Sequence, residues 1–188
     1  MSAKHQETRI CLYDAAQLAR VVEDMAQRSA GLLTPGARLV VAGIVRRGVP
    51  LADRVVALLE QRFAIRVERR IDLDIKRYAD DLTLIYPETR LAEDPAHAAL
   101  DLTGASVLVV DDVVFRGHSM LRAVQYLAQK NAEEIRTLAL VDRGAAKLPV
   151  HVDVSGVRLD VAPSDVIECC VPPYEPEWSI HVVRKGRA

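Results

Sequence analysis

A chain of 188 residues can bury a core without metal or disulfide staples and is short enough to be read as one domain, residues 1–188. Its 25 Lys and Arg stand against 26 Asp and Glu, which excludes a polyanion-binding field spread over the whole molecule and leaves only local patches. Cys11 and the adjacent Cys169 and Cys170 have neither zinc spacing nor the pattern of a secreted disulfide framework, and no apolar run reaches membrane-spanning length, so the expected compartment is the reducing cytoplasm, away from membranes.

Residues Met1 to Arg9 lack the apolar core of a signal peptide and are expected to form a loose tail. Asp14 has the chemistry of an N-cap, and Leu18, Val21, Val22 and Met25 then recur at helical spacing. The stretch Gly31 to Gly36, containing Thr34-Pro35-Gly36, closes that helix. Leu39-Val40-Val41-Ala42-Gly43-Ile44 is a continuous apolar run, and a strand without alternation must be covered on both faces, as in a parallel sheet between helices. It ends in Val45-Arg46-Arg47-Gly48-Val49-Pro50, where Pro50 suits the first turn of a helix carrying Leu51, Val55, Leu58 and Leu59. Two arginines beside a helix N-terminus suit a highly charged anion, because guanidinium charge and helix dipole add in the same direction. Further on, Ile65, Val67, Ile71, Leu73 and Ile75 alternate with charged residues, predicting a half-exposed strand whose apolar face Arg69 interrupts. Lys76 to Gly104 shows no clear periodicity, and a connection of that length is expected to be a lid or a disordered segment.

The stretch Ser106 to Ser119 organises the rest. Val107 to Val110 reads as a second covered strand, and Asp111 and Asp112 emerge at its carboxyl end, where open parallel sheets hold their ligands. Beyond Gly117, Ser119 can cap a helix bearing Met120, Leu121, Val124, Leu127 and Ala128, so that loop N–H groups and a helix dipole face one small volume suited to a phosphate monoester. Leu138 to Val141 predicts a third covered strand leading into Asp142-Arg143-Gly144. Three strand ends then converge: Arg46-Arg47, Asp111-Asp112 and Asp142-Arg143. Short strands follow at Val152 to Ser155, Val166 to Cys170 and Ile180 to Val183, with Tyr174, Trp178 and the prolines between them read as packing a C-terminal turn or a subunit contact.

The strand, acidic pair and glycine loop of Val107 to Ser119 resemble the motif with which type I phosphoribosyltransferases bind 5-phosphoribosyl 1-diphosphate (PRPP). The resemblance implies that family's α/β fold, a central parallel sheet flanked by helices with a flexible lid and a small hood. It also implies roles. Asp111 and Asp112 bind the ribose hydroxyls beside the charge that develops at C1, and hold Mg²⁺ directly or through water. Val113, Val114, Phe115, Arg116, Gly117, His118 and Ser119 carry the 5′-phosphate, and Arg46, Arg47 and Gly48 match the diphosphate turn. A lid would shield the oxocarbenium-like ribosyl group from water.

From about Gly43 onward the chain is also similar to one subfamily, the bacterial pyrimidine operon attenuation regulators with uracil phosphoribosyltransferase activity. The marks are Gly43-Ile44 with Arg47-Gly48, Leu73-Asp74-Ile75 with Tyr78 and Asp80-Asp81-Leu82, Val109 to Val113, and Leu140 to Gly144 with Leu148-Pro149, Val152-Asp153 and Gly156. By this resemblance Asp80 and Asp81 belong to the catalytic loop, Val141, Asp142 and Arg143 lie near the base, and the protein is a homodimer or larger homo-oligomer making UMP and diphosphate from uracil and PRPP with Mg²⁺. Departures are local: Ala79 replaces an arginine, Arg116 and His118 replace a small hydroxyl residue and an arginine, and Ser119 replaces threonine. They motivate an alternative reading, a catalytically weakened PRPP or nucleotide sensor, or a transferase for another base. In RNA-binding relatives basic residues follow the Asp-Arg-Gly turn and the later glycine; here Ala145, Ala146 and Val157 stand there, so tight binding of an attenuator RNA is not expected.

Overall fold

The computed structural model describes residues 8–76, 84–85 and 87–184. In chain order these form β1 (Thr8–Tyr13), α1 (Ala15–Leu32), β2 (Arg38–Ile44), α2 (Gly48–Phe63), β3 (Arg69–Lys76), β4 (Arg90–Ala92), β5 (Ala105–Val114), α3 (His118–Gln129), β6 (Glu134–Asp142), β7 (Val154–Arg158), β8 (Val166–Cys170) and β9 (Ser179–Arg184). Six strands make a central sheet in the order β4-β3-β2-β5-β6-β7, parallel except for the edge strand β4. A separate antiparallel sheet, β1-β9-β8, forms the hood. Among the described residues no helix is long and apolar enough to cross a membrane.

The unbroken apolar runs have the cause expected of them. Successive strand residues point to opposite faces, and Val41, Leu108, Val110, Leu138 and Leu140 pack with Leu18, Val22 and Met25 of α1 and Leu51, Val55 and Leu59 of α2. Their neighbours Val40, Ala42, Val107, Val109 and Ala139 pack with Met120, Ala123 and Leu127 of α3 on the other face. Each fully buried aliphatic side chain contributes about 1.5–3 kcal/mol, and the one buried threonine of β6, Thr137, has its hydroxyl bonded to the His151 carbonyl and the Asp153 carboxylate. The hood belongs to the first of these two cores through Ile167, Cys169, Val171, Ile180 and Val182.

Helix α1 starts as its sequence suggests. The Asp14 carboxylate accepts from the Gln17 N–H at 2.8 Å while the Gln17 side chain accepts from the Asp14 N–H at 2.9 Å, a reciprocal cap.

Several expectations are corrected. The strand of the expected tail, β1, begins at Thr8 and pairs with β9, so Thr8 and Arg9 are not loose. The strand expected from Ile65 begins only at Arg69; Ile65 and Val67 instead pack as partly buried residues of the approach to it. Part of the supposedly structureless Lys76 to Gly104 is built onto the body: β4 pairs with β3, a short 3₁₀ turn spans Pro95–His97, and Leu100 and Leu102 are buried. Glu93 anchors this segment to α3, accepting from the Tyr126 hydroxyl at 3.1 Å and pairing with Lys130 at 2.8 Å. Three-residue strands and isolated apolar anchors are too short to leave a period in a sequence.

Candidate functional site

The site is set by how far two neighbouring strands run. Gly43 on β2 lies level with Val110 on β5. β2 then ends at Ile44, while β5 continues through Asp111 and Asp112 to Val114. The β2–α2 turn therefore folds back against the flank of β5, and Gly48 is the point of contact: a Cβ there would lie 2.6 Å from the Val110 carbonyl oxygen and 3.1 Å from the Asp111 Cα. Any larger residue would push the turn off the strand. This close approach brings Arg46 and Arg47, joined to Val45 through a cis peptide, to the edge that carries the two carboxylates.

Both arginines meet the connection between β8 and β9. The Arg47 Nη2 donates to Glu175 Oε1 at 2.5 Å and its Nε lies 3.2 Å from each Glu175 oxygen, a two-pronged pair that is mostly buried. Glu175 Oε2 accepts from the Val171 N–H at 2.7 Å. The Arg46 guanidinium lies 5.2 Å from the centre of the Tyr174 ring. From the other side Arg70 braces the start of α2, donating to the Val49 carbonyl at 3.0 Å and pairing with Asp53 and Asp72.

Asp111 and Asp112 lie inside β5 rather than beyond it, where the facing alternation changes phase: Val110 packs with the α1–α2 core, Val113 with that same core and Val114 with the α3 core. Asp111 is 7% exposed and its Oδ1 accepts from the Asp112 N–H at 2.9 Å. Burial, and then the Asp112 charge, push the Asp111 carboxyl well above the ordinary range; burial raises Asp112 as well, against the pull of Arg47. Two crowded, desolvated carboxylates are a poor dianion by themselves and a good oxygen pair for a hard cation that takes its other ligands from a phosphorylated molecule. Among the described residues no three His, Cys, Asp or Glu side chains form a metal cluster.

Val113 and Val114 complete β5, and Phe115, Arg116 and Gly117 form the loop into α3. Ser119 is not the cap. Gly117, at φ +84°, takes that position in a left-handed conformation that glycine alone adopts without cost, so α3 starts at His118 and puts Ser119 in its first turn. The loop is supported from behind by backbone bonds, Arg143 N–H to the Val114 carbonyl at 3.1 Å and Lys147 N–H to the Arg116 carbonyl at 3.3 Å. Arg116 is exposed, with its guanidinium 5.2 Å from the centre of the Phe115 ring. Neither α2 nor α3 has a side-chain cap, unlike α1. In α2 the Val49 and Leu51 N–H groups close onto the Arg46 and Arg47 carbonyls at 3.2 Å and 3.4 Å and Pro50 has no N–H, so only the first residue, Gly48, lies outside these bonds, whereas α3 opens without a capping side chain.

The third strand end is arranged differently. Val141 is fully buried, and the Asp142 carboxylate accepts from the Gly144 N–H at 2.8 Å within its own turn. Arg143 is 4% exposed, donates from Nη2 to the Asp165 carbonyl at 3.0 Å, and lies 4.3 Å over the Phe115 ring. Its Nε and Nη1 have no hydrogen-bond partner among the described residues. Asp80 and Asp81, with Tyr78 and Ala79, lie outside the described residues. Sequence reasoning missed Glu175 and Arg70; a glutamate in a proline-rich connection and an arginine in an alternating strand carry no signal of what they will touch.

The phosphoribosyl transferase domain model matches residues 11–178. Among curated proteins the chain is 34% identical over 169 residues to the Bifunctional protein PyrR of Trichormus variabilis, covering 88% of each, and 31% identical over 184 residues to the Bifunctional protein PyrR of Nostoc punctiforme, covering 97% of this chain and 99% of that one. Among solved structures, a hypoxanthine phosphoribosyl transferase of Trypanosoma cruzi superposes with a TM-score of 0.71 at 17% identity, over 98% of this chain and 94% of that one. A hypoxanthine-guanine phosphoribosyltransferase of Bacillus anthracis gives 0.70 at 16% identity, over 95% and 100%. These two likenesses are of fold, and the fold is that of the type I phosphoribosyltransferases. With the family match running across both strand–turn–helix units and into the hood, the chain belongs to the phosphoribosyltransferase family and is a phosphoribosyltransferase.

Proposed function

We propose that the chain joins uracil to the phosphoribosyl group of PRPP, giving UMP and diphosphate, with Mg²⁺ as the metal. The observation that carries this reading is the meeting, on one sheet edge, of the Arg46-Arg47-Gly48 turn with the Asp111–Asp112 pair and the uncapped start of α3. Uracil is favoured by the resemblance to the pyrimidine regulators and by the PyrR relatives.

Each residue then has a task. Arg46, Arg47 and Gly48, at the start of α2, hold the diphosphate. The loop from Val113 to Ser119 holds the 5′-phosphate through its N–H groups and the Ser119 hydroxyl. Asp111 and Asp112 orient the ribose hydroxyls and set negative charge near C1 as its bond to the diphosphate oxygen breaks and its bond to the base nitrogen forms. Mg²⁺ held by these carboxylates, directly or through water, would neutralise the departing diphosphate. Asp80 and Asp81 are assigned to catalysis by the family resemblance, and the base is assigned to Val141, Asp142 and Arg143. In this reading residues 1–188 are one catalytic domain that works in the cytoplasm as a homodimer or larger homo-oligomer.

A panel of nucleobases incubated with PRPP and Mg²⁺, with diphosphate release measured for each, tests the proposal. Uracil should give the fastest release. Release with no base would overturn the reaction, and faster release with another base would overturn the choice of uracil.

A further inference from the structure

The two arginines of the β2–α2 turn are met by two consecutive residues of one hood connection, Arg46 by Tyr174 and Arg47 by Glu175. That connection is itself closed: the N–H groups of Tyr174 and Glu175 donate to the Val171 carbonyl at 3.1 Å and 3.4 Å, and the Val171 N–H donates to the Glu175 carboxylate at 2.7 Å. Val171 is fully buried in the core shared by hood and sheet. The carboxylate is therefore fixed in position by a buried backbone, and it grips the Nε and Nη2 edge of Arg47.

We infer that Glu175 is a positioning residue for the diphosphate site, holding the Arg47 guanidinium in the orientation that receives the diphosphate of PRPP. The inference rests on the proposed phosphoribosyl-transfer reading of the site. Its physical content is preorganisation. A free arginine side chain loses much rotamer freedom when a ligand orders it, and a guanidinium already held along one edge has lost that freedom before the ligand arrives. Glu175 can do this at neutral pH: burial works against its charge, but the bonds from Arg47 and the Val171 N–H outweigh burial and hold its carboxyl below the usual range. The opposite role, a carboxylate that competes with the ligand for Arg47, makes the opposite prediction.

The experiment is calorimetric binding of PRPP, of inorganic diphosphate with Mg²⁺, and of UMP to the full chain and to Glu175→Ala, Glu175→Gln and Glu175→Asp, with thermal melts of each. Positioning predicts that Glu175→Ala weakens PRPP and diphosphate by about tenfold or more and leaves UMP within about twofold. Glu175→Gln, which keeps an oxygen for Arg47, should fall between, and it carries the test if the alanine variant melts below the assay temperature. Tighter or unchanged binding of diphosphate overturns the inference, as does an equal loss for UMP, which would mark a hood that has simply loosened. A wild-type chain that binds neither PRPP nor diphosphate removes the proposed site as well, whereas wild-type binding that survives in Glu175→Ala removes this inference alone.

Discussion

The molecule contains the same unit twice, a covered parallel strand, a short turn and a helix without a side-chain cap, and the two copies are held in different ways. The β2–α2 turn, tied by backbone to β3 through the Val45 N–H on the Leu73 carbonyl, is held at its arginines by side chains from elsewhere: Glu175 and Tyr174 from the hood, with Arg70 from β3 and steric contact of Gly48 with β5 beside them. The β5–α3 loop is held mainly by backbone, with Gly117 in the left-handed region and N–H groups of Arg143 and Lys147 on the carbonyls of Val114 and Arg116. The cation–ring contact it receives from outside, the Arg143 guanidinium over Phe115, falls on an apolar ring rather than on a charged side chain of the loop. A turn built from long charged side chains suits a large, variable anion such as a metal-bound diphosphate. A loop built from fixed N–H groups suits a monoester that stays on the ribose from substrate to product.

The carboxylates between the two turns give the largest effect and separate chemistry from grip. Asp111→Asn and Asp112→Asn should each lower kcat for phosphoribosyl transfer by roughly 100-fold or more, the scale of losing one preorganised electrostatic group at a reacting centre. Stability should be unchanged or slightly higher, because burial already disfavours both charges. Steady-state kinetics beside thermal melts check this, and unchanged turnover in both variants would remove the pair from the mechanism.

The two glycines sharpen the contrast. At Gly48 a methyl group meets backbone at 2.6 Å, so Gly48→Ala should cost about 1–3 kcal/mol of stability through overpacking and should weaken PRPP more than UMP. At Gly117 the nearest atoms stand at 3.4 Å, on Val150, so the cost of Gly117→Ala is conformational, about 1–2 kcal/mol for a left-handed residue, and PRPP and UMP should weaken alike. Denaturant unfolding and calorimetry with both ligands measure these, and identical ligand profiles for the two variants would break the comparison.

What could be read from the chain beforehand follows from the range of the forces involved. β2, β5 and β6 were legible because each has a continuous apolar stretch where both faces are covered, and the acidic pair of β5 stood out against that run. Asp14 was legible as a cap because capping is a contact within one turn. Ser119 misled because a hydroxyl before an apolar stripe looks like a cap, while the φ of Gly117 that decides the helix start is a property of the loop. Glu175 was hidden for another reason: it lies 128 residues from Arg47 along the chain, and only the hood folding back onto the sheet creates their contact. β4 was hidden by its length, three residues on an edge.

The central claim is that the two turns hold different ends of one molecule. Arg47→Ala tests it most directly, through the dissociation constants of PRPP and of UMP measured by calorimetry with Mg²⁺ present. The account predicts that PRPP weakens by roughly ten- to 100-fold, the scale of a lost charge-assisted pair, while UMP, which has no diphosphate, changes little. Equal losses for the two ligands, or a loss confined to UMP, would contradict it.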